Sequence, residues 1–273
     1  MRTSGGFTLV ELVVAIAVSG IVLVFASLFV KAPLDAYMAT SRRNEIQDSV
    51  SIMWPRMEAD IHSALPNSAR QATSGANKAL ELLPVVDSAR FLSPPGAAPF
   101  NTAGYFSTMP HSSVTPLQVG WYFLSVNNTP TSNAYAFTNV MTPVNTQIKL
   151  SGTGPGEDTI TMSPVTTFVP GSAKRIYLVT RPVTYLCNET AGTLQRFSGY
   201  TIAPSQASRN TAAKLTAAGA TVSLVARDIK SCTFNAPPAA DVNHGQLVIV
   251  RITVTKGGET TSIMHQAALD TLQ

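Results

Sequence analysis

The sequence contains few charged residues. Asp, Glu, Lys and Arg make up 12% of the 273 residues, about half the share that is usual in soluble proteins. The 19 basic and 15 acidic residues leave a net charge of +4, and basic residues adjoin each other only at Arg42-Arg43 and Lys174-Arg175. Nucleic-acid-binding proteins carry denser basic stripes, so no nucleic-acid partner is expected. A polar, weakly charged surface favours an extracytoplasmic protein.

Histidine is scarce as well. None of the four histidines, His62, His111, His244 and His265, has the close His or Cys spacing of a metal site. The sequence contains neither a P-loop nor a nucleophile elbow. It therefore predicts no metal, no cofactor and no catalytic residues, which argues against an enzyme.

The chain has two cysteines, Cys187 and Cys232. An even number of cysteines in a polar domain outside the cytoplasm favours one disulfide bond. Two unrelated buried thiols are the alternative.

Two adjacent carboxylates, Glu157 and Asp158, follow a Gly-Pro-Gly segment at residues 154–156. Calcium sites in proteins take about six to eight oxygen ligands, which two acidic side chains cannot supply. The segment is predicted to be a solvated turn.

A long apolar run begins close to the N-terminus. Residues 7–30 carry a single charge, Glu11. As a helix, this run would be about 36 Å long, enough to cross a bilayer core of roughly 30 Å. An ordinary secretory signal places small residues after its apolar core, whereas Gly5 and Gly6 precede this one. Cleavage at these glycines would leave the membrane helix attached to the protein.

The residues around these glycines resemble the prepilin signature GFTLxE of type IV pilins. They read Gly6-Phe7-Thr8-Leu9-Val10-Glu11. The resemblance implies cleavage after Gly6 by a membrane-embedded prepilin peptidase and N-methylation of the new terminus at Phe7. It also implies that Glu11 is the charged residue that the family carries near the start of the mature helix.

The chemistry of Glu11 agrees with this resemblance. A carboxylate at the centre of a membrane helix costs about 2.5–3.5 kcal/mol, and less near the interface. Glu11 is expected in the second turn and still needs a partner, which the amine of Phe7 would supply from the same helix or a neighbouring one. A simple anchor with a tolerated Glu is the alternative. The positive-inside rule does not favour a cytoplasmic leader, because the leader carries one basic residue, Arg2, whereas three basic residues follow the span.

The pattern of the next segment, residues 31–65, predicts an amphipathic stalk helix ending near Pro66. Pro33 and Pro55 are expected to kink or interrupt it. The apolar stripe that should pack on a sheet comprises Leu34, Tyr37, Met38, Ile46, Val50, Met53, Trp54, Met57, Ile61 and Leu65.

The remaining residues, 66–273, are expected to form a β-rich head. Residues 66–78 should be a polar connection and residues 93–116, rich in Pro, Gly and Ser, a loop. From residue 175 onward a C-terminal antiparallel sheet is predicted. The predicted strands cover 79–86, 120–126, 134–140, 146–150, 159–162, 175–187, 193–202, 222–234, 246–255 and 260–269.

A narrower resemblance lies in the head. Several segments are similar to the MshO branch of minor pilins of the mannose-sensitive haemagglutinin (MSHA) pilus, and the order of the last strands resembles J-type pseudopilins of type II secretion. The MSHA-like segments are residues 82–90, 163–164, 174–175, 181–187 and 192–200.

The predicted fold class is α+β and pilin-like: a long N-terminal helix, membrane-spanning in its first half, packed on a C-terminal antiparallel β-sheet domain. The predicted parts are a leader (1–6), a transmembrane helix (7–30), a stalk helix (31–65) and an extracytoplasmic head (66–273). The protein is expected as a single-pass component of a bacterial inner membrane, with a periplasmic head, that later enters a pilus or pseudopilus, at its tip.

Three functions are compatible with the sequence. The first is a minor pilin that primes or caps an MSHA-like pilus, the second a J-type pseudopilin, and the third a tip adhesin that binds a surface ligand through residues 93–116. The expected partners are prepilin peptidase, other minor and major pilins, the inner-membrane assembly platform and membrane lipid.

Overall fold

The computed structural model describes residue 6 and residues 8–92, 100–129, 134–152, 156–169, 174–238 and 245–269. A long N-terminal helix precedes a head of antiparallel β-sheets, which confirms the predicted α+β class. The described strands are β1 (Arg70–Ser74), β2 (Asn77–Leu82), β3 (Val85–Phe91), β4 (Phe100–Ala103), β5 (Tyr122–Val126), β6 (Gln147–Leu150), β7 (Glu157–Ser163), β8 (Arg175–Thr180), β9 (Val183–Asn188), β10 (Thr193–Ser198), β11 (Thr221–Arg227), β12 (Ile229–Asn235), β13 (Leu247–Lys256) and β14 (Glu259–Ala268).

Helix α1 (Leu9–His62) is one element of 54 residues, about 80 Å long at 1.5 Å per residue. It runs through Pro33 and Pro55, so the expectation that these prolines interrupt it is wrong. A proline removes one backbone donor, whereas the hydrogen bonds on either side of it persist. Around Pro55, burial of the neighbouring apolar side chains also holds the helix in place.

The two parts of α1 differ in their surroundings. Every described side chain from Leu9 to Met38 is exposed, including Leu34 and Tyr37 of the predicted stripe. Burial begins only at Ile46. Within the described residues, α1 is the one helix long and apolar enough to cross a membrane, judged by length and composition.

The strands form three sheets. A five-stranded sheet has the order β1-β2-β9-β10-β11, a three-stranded sheet β12-β13-β14, and a six-stranded sheet β5-β8-β3-β4-β7-β6. The strands predicted from residue 175 onward therefore belong to three sheets and not to one. Arg181-Pro182 interrupts the first predicted strand, because proline cannot donate to a ladder. The two parts, β8 and β9, lie in different sheets.

One hydrophobic core joins α1 to the five-stranded and three-stranded sheets. The helix contributes Ile46, Met53, Met57 and Ile61 from its predicted stripe, all of them buried. The six-stranded sheet has a separate core around Phe106. The head is therefore attached to the helix through two of its three sheets.

Three local expectations are wrong. Residues 66–78 contain β1, which pairs with β2 across a turn at Gly75. Residues 134–140 are not a strand, because Phe137 and Asn139 adopt positive φ angles that extended backbone does not allow. Part of the predicted loop 93–116 is strand β4, while residues 93–99 lie outside the described part of the chain.

The structure joins Cys187 and Cys232 by a disulfide, with Cα atoms 6.3 Å apart. The bond links β9 of the five-stranded sheet to β12 of the three-stranded sheet. Because it closes a loop with a sequence separation of 45 residues, replacing both cysteines by alanine should lower the free energy of unfolding by about 3–4 kcal/mol in the chain-entropy model.

Urea unfolding of the oxidised protein and of the double variant would measure this difference. Non-reducing peptide mapping provides the control for the bond itself. Recovery of Cys187 and Cys232 as free thiols from freshly purified protein would contradict the pairing.

Candidate functional site

The start of α1 forms the first part of the candidate site. Gly6 is exposed, and Phe7 lies outside the described residues. Thr8 caps the helix: its hydroxyl accepts a hydrogen bond from the backbone N–H of Glu11 at 3.3 Å. Thr8 and Glu11 have the spacing of a capping box, a local pattern that the sequence analysis missed.

Glu11 belongs to the first turn of α1 and not to the second, because the helix begins at Leu9. A carboxylate at this place interacts favourably with the partial positive charge of a helix N-terminus. Within the described residues the Glu11 side chain has no ion-pair partner, and its apolar neighbours Leu12 and Val13 are exposed. The helix therefore presents one carboxylate within an apolar surface.

The turn between β13 and β14 contacts α1 close to the point where burial of the helix begins. Arg42 donates to the carbonyl of Gly257 at 3.0 Å, and Lys256 forms an ion pair with Glu45. Gly257 has a φ of +55°, and a Cβ there would lie 2.8 Å from Cδ of Arg42. The positive φ favours glycine at this turn, which contacts the helix just beyond its exposed part.

Asp60 attaches the C-terminal part of α1 to the head. Its Oδ2 accepts hydrogen bonds from Tyr185 Oη at 2.6 Å and from Arg196 Nε at 2.7 Å, and its Oδ1 accepts from Arg196 Nη2 at 3.1 Å. Burial and the hydrogen bond to Asp60 raise the pKa of Tyr185. Burial opposes the charge of Arg196, but the bonds to Asp60 outweigh it and raise the Arg196 pKa. These contacts attach the helix to β9 and β10.

A second polar cluster lies inside the head. Glu81 is fully buried and accepts hydrogen bonds from Arg70 Nε at 2.8 Å and from Tyr200 Oη at 2.9 Å. The Arg70 guanidinium also lies 3.4 Å from the ring centre of Tyr135. Burial raises the pKa of the Glu81 carboxyl, and Arg70 acts in the opposite direction. Sequence reasoning found neither cluster, because Asp60 and Glu81 each bond a tyrosine that is more than 100 residues away in the chain.

The prediction of a solvated turn at Glu157 and Asp158 is wrong. Both residues belong to β7, and Asp158 is fully buried, while residues 153–155 lie outside the described part. Asp158 accepts hydrogen bonds from the N–H of Phe106 at 2.9 Å and of Gly152 at 2.8 Å, and it contacts His111 Nε2 at 2.8 Å. These partners satisfy the carboxylate, which explains why it can be buried.

Each described histidine has a structural contact within the protein. His111 stacks on Tyr105, His265 stacks on Trp54 at 4.2 Å, and His62 lies 3.8 Å from Glu58. His244 is outside the described residues. The described residues contain no group of three or more His, Cys, Asp or Glu side chains that could hold a metal ion.

These features define a class: a pilin-like α+β protein with an apolar N-terminal helix and a β-sheet head. Residues 1–27 match the family model described as the prokaryotic N-terminal methylation motif. No curated protein and no solved structure matches the chain.

The match contains Gly6, Phe7 and Glu11 and ends within the apolar part of α1. It supports a type IV pilin-like protein, for which a structural role is typical, and implies processing by prepilin peptidase and assembly with other pilins. Together with the apolar helix, it supports anchoring in a membrane.

Proposed function

We propose that the protein is a minor pilin of a type IV, MSHA-like pilus, which primes or caps fibre assembly through α1. The observation that carries this proposal is the methylation motif at the start of a helix whose described side chains are exposed as far as Met38. Exposed apolar surface of this extent requires a lipid or protein environment.

Processing is the first step of the proposed mechanism. Prepilin peptidase cleaves after Gly6, and the new amine of Phe7 is methylated. The mature helix then remains in the inner membrane, with residues 7–30 as its spanning part and residues 31–65 as its stalk. The head, residues 66–273, is on the periplasmic side.

Assembly is the second step. An inner-membrane platform transfers the helix from lipid into a bundle with other minor and major pilins. Packing between helices then replaces contacts with lipid. Glu11 pairs with the Phe7 amine of a neighbouring subunit, because a carboxylate in an apolar bundle is costly unless an opposite charge is close.

The size of the head supports a role at the tip. Roughly 200 residues follow the stalk, organised in three sheets. A subunit with so large a head is better suited to starting or capping a fibre than to repeating along its shaft. The MSHA-like segments of the head favour a pilus, while a J-type pseudopilin remains the alternative within the same class of machine. The genes beside this one would separate the two.

A tip adhesin is the third hypothesis. Of its predicted binding segment, residues 93–116, the described part contributes strand β4 to the six-stranded sheet and the buried Phe106 to the core beside it. These contacts favour a structural role for this part of the segment.

Deleting the gene tests the proposed function. If the protein primes assembly, surface pili should fall sharply while the major pilin in the membrane stays nearly unchanged. Electron microscopy, immunoblotting of membranes and an adhesion assay on the same strain measure this, with the wild-type gene restored as the control. Wild-type pilus numbers would contradict the proposal, and loss of attachment alone would favour the adhesin.

A further inference from the structure

A groove of about 570 Å³ opens where the C-terminal end of α1 meets the ends of several strands. Asp60 lines it from the helix, Arg181 from the segment after β8, Ser198 from the end of β10 and Thr221 from the start of β11. Trp121 forms an apolar wall. The volume is within the range of about 300–1,000 Å³ that is typical of ligand sites.

The groove contains a positively charged side chain, Arg181, that is not neutralised by a described carboxylate. Its guanidinium lies 4.1 Å from the ring centre of Trp121 and donates to the carbonyls of Gly120 at 2.8 Å and Gly199 at 3.0 Å. Among the residues that the structure describes, no carboxylate forms an ion pair with it. Burial lowers the pKa of Arg181, so a carboxylate ligand would offset the cost of its partial desolvation.

The other charges of the groove do not neutralise Arg181. Asp60 is occupied by Tyr185 and Arg196, which leaves the three side chains Asp60, Arg196 and Arg181 with one excess positive charge. The exposed Arg56, which bonds Ser223 on β11, adds another nearby. The groove therefore favours an anion.

The groove adjoins an unpaired strand edge. In the described sheet, β11 is the terminal strand and pairs only with β10. Val222 and Leu224, on the face opposite Ser223, are 54% and 44% exposed. Natural proteins usually cover or charge such apolar edges, because their free N–H and C=O groups bind other extended chains.

We propose that this surface, the Arg181 groove together with the β11 edge, binds an extended acidic segment of a partner polypeptide. The segment pairs with β11, and its Asp or Glu side chain enters the groove towards Arg181. Side chains of a strand alternate between faces, so residues flanking the acid would lie beside Val222 and Leu224. A polypeptide can use both the backbone edge and the guanidinium, whereas an acidic sugar can use only the second.

The test uses the full chain in detergent micelles and three probes. They are the peptide acetyl-Thr-Val-Glu-Val-Thr-amide, the same peptide with Gln in place of Glu, and glucuronate. The protein has two tryptophans, so the indole N–H resonance of Trp121 reports on the groove. Trp54, stacked on His265, is an internal control.

The Glu peptide should shift the Trp121 resonance saturably and leave that of Trp54 unchanged. Arg181→Gln should weaken binding about tenfold or more, because a charge-assisted hydrogen bond is lost. Lys230→Gln, which removes an exposed charge from β12, outside the proposed surface, should have little effect. Val222→Asp should also weaken binding, and since its side chain is exposed it tests the edge even if Arg181→Gln misfolds.

Four outcomes would overturn the proposal. They are the absence of a Trp121 shift, equal binding of the Gln peptide, preference for glucuronate over the Glu peptide, and equal losses in Arg181→Gln and Lys230→Gln. None of these outcomes depends on whether Glu11 functions in fibre assembly.

Discussion

Replacing Glu11 by alanine should leave cleavage and membrane insertion largely intact and reduce incorporation into fibres at least about tenfold. Removing one member of a buried ion pair costs about 3–5 kcal/mol, and about 1.4 kcal/mol already corresponds to a factor of ten. In the proposed bundle, the amine of Phe7 on the neighbouring subunit would lose its partner. The measurement is the copy number of the subunit in sheared fibres, relative to the major pilin.

Two variants control this experiment. Glu11→Gln keeps the size of the side chain and removes its charge, so it should behave like the alanine variant. Asp48→Ala removes an exposed carboxylate from the same helix and should have little effect. Intact-mass analysis should show a mature chain beginning at N-methylated Phe7 in every case. Normal copy number of Glu11→Ala in sheared fibres would refute the assembly role.

Replacing Glu81 by alanine should lower the free energy of unfolding by about 3 kcal/mol, at the lower end of the range for breaking a buried ion pair. Arg70 would lose its carboxylate, and the hydroxyl of Tyr200 an acceptor, inside the head. Arg70 would still donate to the carbonyls of Ala203 and Pro204, which moderates the loss.

The matched control is Glu259→Ala, which breaks the exposed ion pair with Arg43 at 3.6 Å. Pairs of this kind contribute about 0–1 kcal/mol, so the control should unfold nearly like the wild type. Urea unfolding of the detergent-solubilised full chain, followed by the near-UV signal of the head, measures both variants. Equal losses in the free energy of unfolding of the two variants would contradict the prediction that the buried Glu81 stabilises the head more than an exposed ion pair does.

Several parts of the fold could be predicted because their signals are local. The apolar run with its single charge predicts the exposed helix, and the spacing of Ile46, Met53, Met57 and Ile61 identifies the face that is buried. The alternating pattern of residues 246–255 and 260–269 predicts the two strands that the structure pairs as β13 and β14. Each of these signals depends on neighbours within a few residues.

Other parts could not be predicted. A strand pattern shows that one face is buried and does not show which strand pairs with it. The division of β8, β9 and β12 among three sheets therefore had no signal in the sequence. The burial of Asp158 depends on donors from Phe106 and His111, about 50 residues away.

The sequence by itself determined the features that depend on the order of residues along one segment. These are the predicted processing point at Gly6, the length and single charge of the apolar helix, and the family match of residues 1–27. A peptidase and a membrane both act on a contiguous segment, so its composition is enough to recognise it.

Only the tertiary structure decided which distant residues meet. Asp60 and Arg196 are 136 residues apart, yet together they attach the helix to the head. Arg181 and Trp121 come from separate segments, and only the packing of β8 beside β5 brings them together at the groove. The physical reason is that side-chain charge and hydrogen bonding act over a few ångströms in space, whatever the separation along the chain.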